Sequence, residues 1–382
     1  MRIAFYAPMK PPTDPTPSGD RRMARLLIQA LETAGHEVSL ASTLRSHERD
    51  GDAARQIALR AAGKAEAAGL IRRYRARARE ARPEAWFTYH LYHKAPDWLG
   101  PPVSRALKIP YLVAEASVAP KQVSGRWAEG YAVARAAVAD ADAVLAVTED
   151  DANGLKPVVK DRHRLLHLPP FLDPSPYRTA RVARGDHRAR LAERFGLDPE
   201  APWLLAVAMM RKEDKLASYR QLGQALAGLS DLNWRLIVVG DGPARPEVES
   251  ALAPLGPDRV AYAGLEPTSA LPAYYAAADV YVWPAVNEAY GLALLEAQAA
   301  GLPVVAGRVR GVAQVVRDGD TGVLVPAAAV DALAAALRRL LVEPDSRARL
   351  GTAATAHVEA RHGLANGGAA LAKALEIAGA GP

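Results

Sequence analysis

The chain has 382 residues, half of them apolar, which is enough for two packed cores and too many for one ordinary domain. Cysteine is absent, which excludes a disulfide framework, a thiolate nucleophile and a cysteine-held metal, and fits a reducing compartment, so a cytoplasmic address is expected. The formal net charge of +6 favours anionic partners, but heavy use of Ala and Arg reads as genome bias, so where the charge sits matters more than its sum. No apolar run approaches the roughly 20 residues that a bilayer crossing needs, and MRIAFYAPMKPPTD lacks the apolar core of a signal peptide.

In chain order, RIAFY at 2–6 is a short strand, followed by a Pro/Gly loop and an amphipathic helix, MARLLIQALETAG, ending near Gly35. The βα unit recurs as EVSLAS, a long helical stretch, AWFTYHLY, a helix ending near Leu107, PYLVAEA, another helix, and AVLAVT. After RLLHL comes PPFLDPSPY at 169–177, whose four prolines cannot continue a helix or a central strand; it is expected to be a linker. A second series follows: WLLAVAM, a helix near 219–229, RLIVVG, a helix near 245–254, VAYAG, a helix near 268–277, and DVYVWP. A helix opened by Gly291, PVVAG, a short helix, GVLVP and two helical stretches from Ala329 onward complete it. Such alternation predicts an α/β protein of two doubly wound, mainly parallel domains in tandem, facing each other across a cleft at the carboxyl ends of their strands.

The chemistry concentrates in NEAYGLALLEAQAAG at 287–301. Glu288 follows a buried strand, and the helix behind Gly291 offers unpaired amides and a partial positive charge suited to a diphosphate. Glu296 sits about one and a half turns in, roughly 7 to 8 Å along the axis. From there a carboxylate can accept from ribose hydroxyls, while Glu288 accepts from hydroxyls of a transferred sugar.

These residues resemble the donor motif of glycosyltransferase family 4, the retaining GT-B enzymes also described as glycosyl transferases group 1. That motif is two glutamates separated by seven residues, the spacing of Glu288 and Glu296, and the family's usual Glu-Gly-Phe-Gly is Glu288-Ala289-Tyr290-Gly291 here. EAQAAGLPVVA at 296–306, VVGDGPARPEVE at 238–249, the stretch 260–284 and VVRDGDTGVLVPA at 315–327 also resemble the family. The N-terminal half is similar more loosely, through RIAFYAPMKPPTDPTPSGD, AGHEV, IPYLVAEAS and ADAVLAVTEDDANGL.

The resemblance implies an acceptor domain over 1–170, a donor domain over 171–361, and a last helix, 362–382, returning to the first domain. It implies hexosyl transfer from UDP- or GDP-sugar to a hydroxyl of a glycan, a lipid-linked or a small-molecule acceptor, with retention, in a bacterial cell-surface glycan or glycolipid pathway. The nucleotide-sugar is then a substrate; neither a cofactor nor a metal is implied, and no Asp-x-Asp pair lies near the donor loop. Arg211 and Lys215 in VAMMRKEDKLASY are the implied diphosphate clamp, stabilising the charge that grows on the leaving group. Lys212 competes with Arg211, and Ala208-Met209 replaces the usual Gly-Arg. Gly19 would bring a backbone amide toward the diphosphate, Gly264 lies where base selection is expected, and Ala289, Tyr290, Gly291 and Leu292 would line the donor. Departing phosphate would help take the acceptor proton, so no side-chain base is required.

Other residues stay open between functional and structural roles. His90 and His93 at i, i+3 lack an acidic third ligand nearby in sequence, so a cleft-wall position is expected, with His90 kept as an active-site candidate. Where the family often has a histidine, Glu115 or Ser117 stands here, and Glu115 is the second such candidate. IRRYRARAREAR at 71–82 is either a solvated helical face or a contact for anionic lipid at the inner face of the membrane. It lacks the interleaved aromatics of a nucleic-acid site, and no nucleic-acid partner is expected. The rival readings are a nucleotide-sugar epimerase and a non-catalytic nucleotide-sugar-binding protein; a dehydrogenase lacks its glycine fingerprint after RIAFY.

Overall fold

The computed structural model describes every residue except Pro17, Ala289, Tyr290, Arg310 and 380–382. Ala289 and Tyr290, two of the expected donor contacts, therefore lie outside the described residues. The chain forms two units, Met1–Pro169 with Leu364–Pro382, and Pro170–Gly363. The cuts fall at 169/170 and 363/364, against the expected 170/171 and 361/362.

In the first unit, β1 (Arg2–Tyr6), β2 (Glu37–Leu40), β3 (Ala85–Leu91), β4 (Tyr111–Ala116), β5 (Ala143–Ala146) and β6 (Leu165–His167) form one sheet in the order β2-β1-β3-β4-β5-β6. Every pairing in it is parallel. Parallel strands are covered on both faces, which is why β5 reads as an unbroken apolar run, AVLA, buried at every position. The covering helices are α1 (Gly19–Thr33), α2 (Ala53–Ala76), α3 (Gly100–Leu107), α4 (Ala128–Asp140) and α5 (Glu149–Leu155). Ser18, Asp52 and Thr148 cap α1, α2 and α5, each side chain accepting from an amide three residues on.

The second unit opens with α6 (Ser175–Val182) and α7 (Arg184–Phe195) and continues β7 (Trp203–Val207), α8 (Asp214–Ala227), β8 (Arg235–Val239), α9 (Arg245–Leu252), β9 (Val260–Gly264), α10 (Leu271–Ala277). Then follow β10 (Val280–Trp283), α11 (Leu292–Ala299), β11 (Val304–Arg308), α12 (Val312–Val315), β12 (Gly322–Pro326), α13 (Val330–Val342) and α14 (Pro344–Arg361). The sheet order is β12-β11-β10-β7-β8-β9, again parallel throughout. The last helix, α15 (Leu364–Ile377), packs on α1 and β5 of the first unit.

Three expectations need correction. The proline-rich linker is partly helical: α6 begins at Ser175 with a proline in its first turn, where a missing amide costs nothing. α8 begins at Asp214, five residues before the expected helix near 219, and already buries Leu216 in its first turn. The two helical stretches after Ala329 are three helices, broken at Pro344, which cannot donate within a helix interior, and again at His362 and Gly363.

In each sheet the winding reverses once, between β1 and β3 and between β7 and β10. At such a switch point the loops after two neighbouring strands part in opposite directions and leave a crevice at their carboxyl ends, the usual ligand position in open α/β sheets.

Candidate functional site

The crevice of the second unit is built by the loop after β10 and the start of α8, which follows β7. Trp283 ends β10, and the chain passes through Pro284 to Glu288, whose amide donates to the Ala285 carbonyl at 3.0 Å. The Glu288 carboxylate accepts from Lys215 Nζ and, through the same Oε2, from Trp283 Nε1 at 3.2 Å. Lys215 also stands 5.3 Å above the Trp283 ring, whose own position is fixed edge-on against Tyr219 with centroids 5.0 Å apart. Both members of the pair are partly exposed, 28% for the Lys215 side chain and 17% for Glu288, so a ligand can reach them.

Val286 and Asn287 of the same loop are tied to the first two turns of α8. Val286 donates its amide to Ser218 Oγ at 3.0 Å, and Asn287 Nδ2 donates to Asp214 Oδ2 at 2.8 Å. Ala285, Asn287 and Gly291 all have left-handed backbone, with φ of 61, 52 and 64°. For glycine this is free; for a fully buried alanine it costs about 1–2 kcal/mol and persists only because the surroundings over-determine it. Gly307 of β11 matters here for a different reason: a Cβ there would lie 2.2 Å from the Pro284 carbonyl, so only glycine lets β11 pass this loop.

Of the other expected donor residues, Gly291, Leu292, Glu296, Arg211 and Gly264 lie in the second unit and Gly19 in the first. Gly291 caps α11 and Leu292 begins it, and the Leu294 amide donates to the Gly291 carbonyl at 2.8 Å. Glu296 lies within α11, only 3% exposed, against Tyr275 of α10; burial, then the Glu296 charge, push that phenol well above its usual range. Arg211 and Lys212 are both exposed ahead of α8, while Lys215 alone of the three meets Glu288. Gly264 ends the edge strand β9 with φ of 74°, and its carbonyl accepts from Gly240 at 2.8 Å. Gly19 opens α1 with nothing within 4 Å of a would-be Cβ, so internal packing does not require glycine there.

A second cluster occupies the crevice of the first unit, between β1 and β3. Asp20, in the first turn of α1, has Oδ1 3.0 Å from His90 Nδ1, off the line of an ideal hydrogen bond, and Glu115 Oε1 stands 3.7 Å from the same nitrogen. Tyr89 pairs with Ala114 and Leu91 with Ala116, so His90 and Glu115 face each other across neighbouring strands. Both adopt left-handed backbone, φ 59° and 55°, uncommon for residues other than glycine. Burial alone would lower the proton affinity of His90; Glu115 and then Asp20 outweigh it and leave its pKa raised. Burial raises Glu115, His90 partly offsets this, and Asp20 raises it further. His93 is elsewhere, edge-on to Trp127 at 5.8 Å, with its pKa lowered by burial and then by Lys94. Asp20 and Trp283 were not singled out in the sequence: strand order brings Asp20 to His90, and the loop after β10 folds Glu288 back onto Trp283.

Known proteins are similar to this chain in sequence and in fold. Residues 189–357 match the family of glycosyl transferases group 1. The matched segment contains Lys215, Glu288 and Glu296. An alpha-D-kanosaminyltransferase of Streptomyces kanamyceticus is 30% identical over 248 residues, covering 65% of this chain and 62% of that protein. A D-inositol 3-phosphate glycosyltransferase of Nocardia farcinica is 36% identical over 231 residues, 58% of this chain and 49% of that one. The chain thus spans about half to three fifths of the length of these curated relatives. The crystal structure of Anabaena HepE with UDP-glucose superposes with a TM-score of 0.73 at 17% identity, covering 98% of this chain and 99% of that one. The fold is GT-B, two Rossmann-like doubly wound units.

Proposed function

We propose that the chain is a glycosyltransferase that moves a sugar from a UDP- or GDP-sugar to an acceptor hydroxyl with retention, as family 4 enzymes do. One observation carries this reading: the Lys215–Glu288 pair sits at the switch point of the second unit, beside the opening of α11, inside the segment that matches the family. In this reading the diphosphate lies against the first amides of α11, with Gly291 allowing close approach and with Ala289, Tyr290 and Leu292 around it. Lys215, assisted by Arg211, meets the negative charge that develops as the glycosidic bond breaks, so its effect is larger in the transition state than in the ground state. Glu288 receives hydroxyls of the sugar once the diphosphate has drawn Lys215 from it. Glu296 serves the ribose and Gly264 borders the base. No metal takes part in this scheme.

The acceptor is proposed to bind the first unit, and the exposed arginines of 71–82 to meet anionic lipid when the acceptor is membrane-borne. Relatives support both small and nucleotide-linked substrates: one is named for D-inositol 3-phosphate, and HepE was captured with UDP-glucose.

The test is a thermal-shift panel of UDP, GDP, ADP and their sugars, since a ligand that binds only the folded state raises its melting temperature. Transfer assays follow with UDP-glucose, UDP-N-acetylglucosamine and GDP-mannose against D-inositol 3-phosphate, an aminocyclitol and a phosphatidylinositol glycolipid. Glu296→Ala is expected to weaken donor binding and Lys215→Ala mainly to depress turnover. Donor conversion without any acceptor would point to an epimerase instead, and binding without transfer or hydrolysis to a non-catalytic protein. Equal transfer by both variants and the parent would refute the site.

A further inference from the structure

We infer that Ser218 positions Glu288: its buried hydroxyl holds the loop that presents this carboxylate to the transferred sugar, and Asp214 holds the same loop from the surface; this rests on the donor-site reading above. All the residues concerned belong to the second unit. Glu288 stands in the connection between β10 and α11, with its carboxylate held by Lys215 and by Trp283 Nε1. Once a diphosphate takes Lys215, only the 3.2 Å contact with Trp283 remains at the carboxylate. The backbone of the loop then decides where Glu288 points.

That backbone is not in a relaxed conformation. Ala285 and Asn287 are both left-handed, φ 61 and 52°, with only Val286 between them, and Ala285 is fully buried. Such a pair persists only where neighbouring groups dictate it. Rotation of the peptide between Ala285 and Val286 would relieve the alanine and shift Glu288, two residues further on.

Ser218 opposes that rotation. Its hydroxyl donates to the Asp214 carbonyl at 3.0 Å, one turn back in α8, and this fixes where the hydrogen points. The oxygen is left to accept from the Val286 amide, at 3.0 Å, and that amide belongs to the peptide whose rotation would move Glu288. Ser218 is fully buried, and an alanine in its place offers the amide no partner. The helix behind it is firmly seated: Leu216 and Tyr219 are buried on either side, and the Tyr219 hydroxyl donates to the Ala208 carbonyl at 2.9 Å.

The second tie starts one turn earlier. Asn287 Nδ2 donates to Asp214 Oδ2 at 2.8 Å, but both residues are exposed, so water competes for this bond and it is the weaker of the two. The Glu288 amide closes the loop on the Ala285 carbonyl at 3.0 Å. Residues 286, 287 and 288 thus each carry one tie, and the first two lead to α8. Ser218 and Asp214 act through Glu288, which meets the sugar and not the nucleotide. Their effect belongs in the ratio of the dissociation constants for nucleotide-sugar and nucleoside diphosphate.

The experiment is calorimetric titration with UDP and UDP-glucose, or with GDP and GDP-mannose where the thermal-shift panel selects guanine. It compares the parent, Ser218→Ala, Asp214→Ala, Glu288→Gln and the double variant Ser218→Ala/Glu288→Gln. Ser218→Ala is expected to weaken nucleotide-sugar binding about 10-fold, the size of one lost buried hydrogen bond, and to leave nucleoside diphosphate binding as in the parent. Asp214→Ala should act in the same direction by about threefold, and, being an exposed change, it carries the comparison should Ser218→Ala not fold. In the Glu288→Gln background, Ser218→Ala should cost nothing further, because the group it positions is gone. A merely structural role would weaken both ligands alike. Equal weakening of the two ligands, parental nucleotide-sugar binding in both single variants, or a Ser218→Ala loss that persists beside Glu288→Gln overturns the assignment. A parent that binds neither ligand overturns the donor-site reading, and the role of Ser218 with it.

Discussion

The ion pair at the second switch point allows a thermodynamic test of the donor site that needs no acceptor. Two unit charges in contact at about 3 Å attract by roughly 5 kcal/mol at an effective dielectric of about 20. Because Lys215 keeps 28% and Glu288 17% of side-chain exposure, water screening and desolvation offset most of that, and a net coupling of about 1–2 kcal/mol is expected. A double-mutant cycle of Lys215→Ala and Glu288→Ala, followed by thermal and urea unfolding, isolates this energy. In a unit of roughly 190 residues it corresponds to about 3–6 °C in Tm. The cycle is then repeated with saturating UDP or GDP, whichever stabilises the parent. If the diphosphate takes Lys215 from Glu288, the two residues no longer share their strongest partner, and the coupling should fall toward zero. A coupling that persists unchanged with nucleotide bound would refute the clamp role of Lys215, whatever the pair contributes to folding.

Gly307→Ala is expected to cost about 1–3 kcal/mol by urea unfolding and to weaken donor binding, because its Cβ would press on the Pro284 carbonyl at the root of the Glu288 loop. Unchanged nucleotide affinity would separate that loop from the site. His357 is lowered to about 4, first by burial and then by the neighbouring His362, whose Nε2 is 3.2 Å away. Its folded pKa lies below the unfolded value near 6.5, so the unfolded chain binds more protons between them. Solvent screening at this partly exposed ring reduces the effect, and stability should fall by about 1–2 kcal/mol as pH drops from roughly 6.5 to 4. His357→Leu should flatten that slope in pH-dependent unfolding, and an unaltered slope would exclude His357 as its source. Sedimentation with phosphatidylserine vesicles at low salt should retain the parent and lose it when Arg72, Arg73, Arg75 and Arg79 are changed to Glu; equal retention would dismiss the lipid contact.

Most strands were legible because parallel strands buried on both faces read as bare apolar runs; the edge strands β2 (EVSL) and β6 (LLH), which bury no residue fully, do not follow that rule. The two helices before β7 were not legible. α6 begins in prolines, and α7, RGDHRARLAERF, buries only Leu191, so neither carries a clear apolar period. What holds α7 is polar: Arg184 and Arg188 grip Asp279 at 2.7 and 3.0 Å, a partner about ninety residues away. Glu288 was legible from its place between a buried strand and a helix start, and Lys215 from its block. Their mutual contact was not, since it depends on β7 lying beside β10. The His90 cluster is the extreme case. Its members stand at 20, 90 and 115, no spacing announces them, and left-handed backbone at His and Glu leaves no mark comparable to a glycine.

α15 gives the chain an unusual assembly order. The first sheet is not fully covered until residues 364–377 have been translated, long after β1 and α1 emerge from the ribosome, whereas the second unit is contiguous and can close as soon as its own residues are out. A nascent chain therefore carries an unfinished amino-terminal half with the outer face of α1 bare. In that interval, rather than in the mature protein, a chaperone would find an apolar surface to hold.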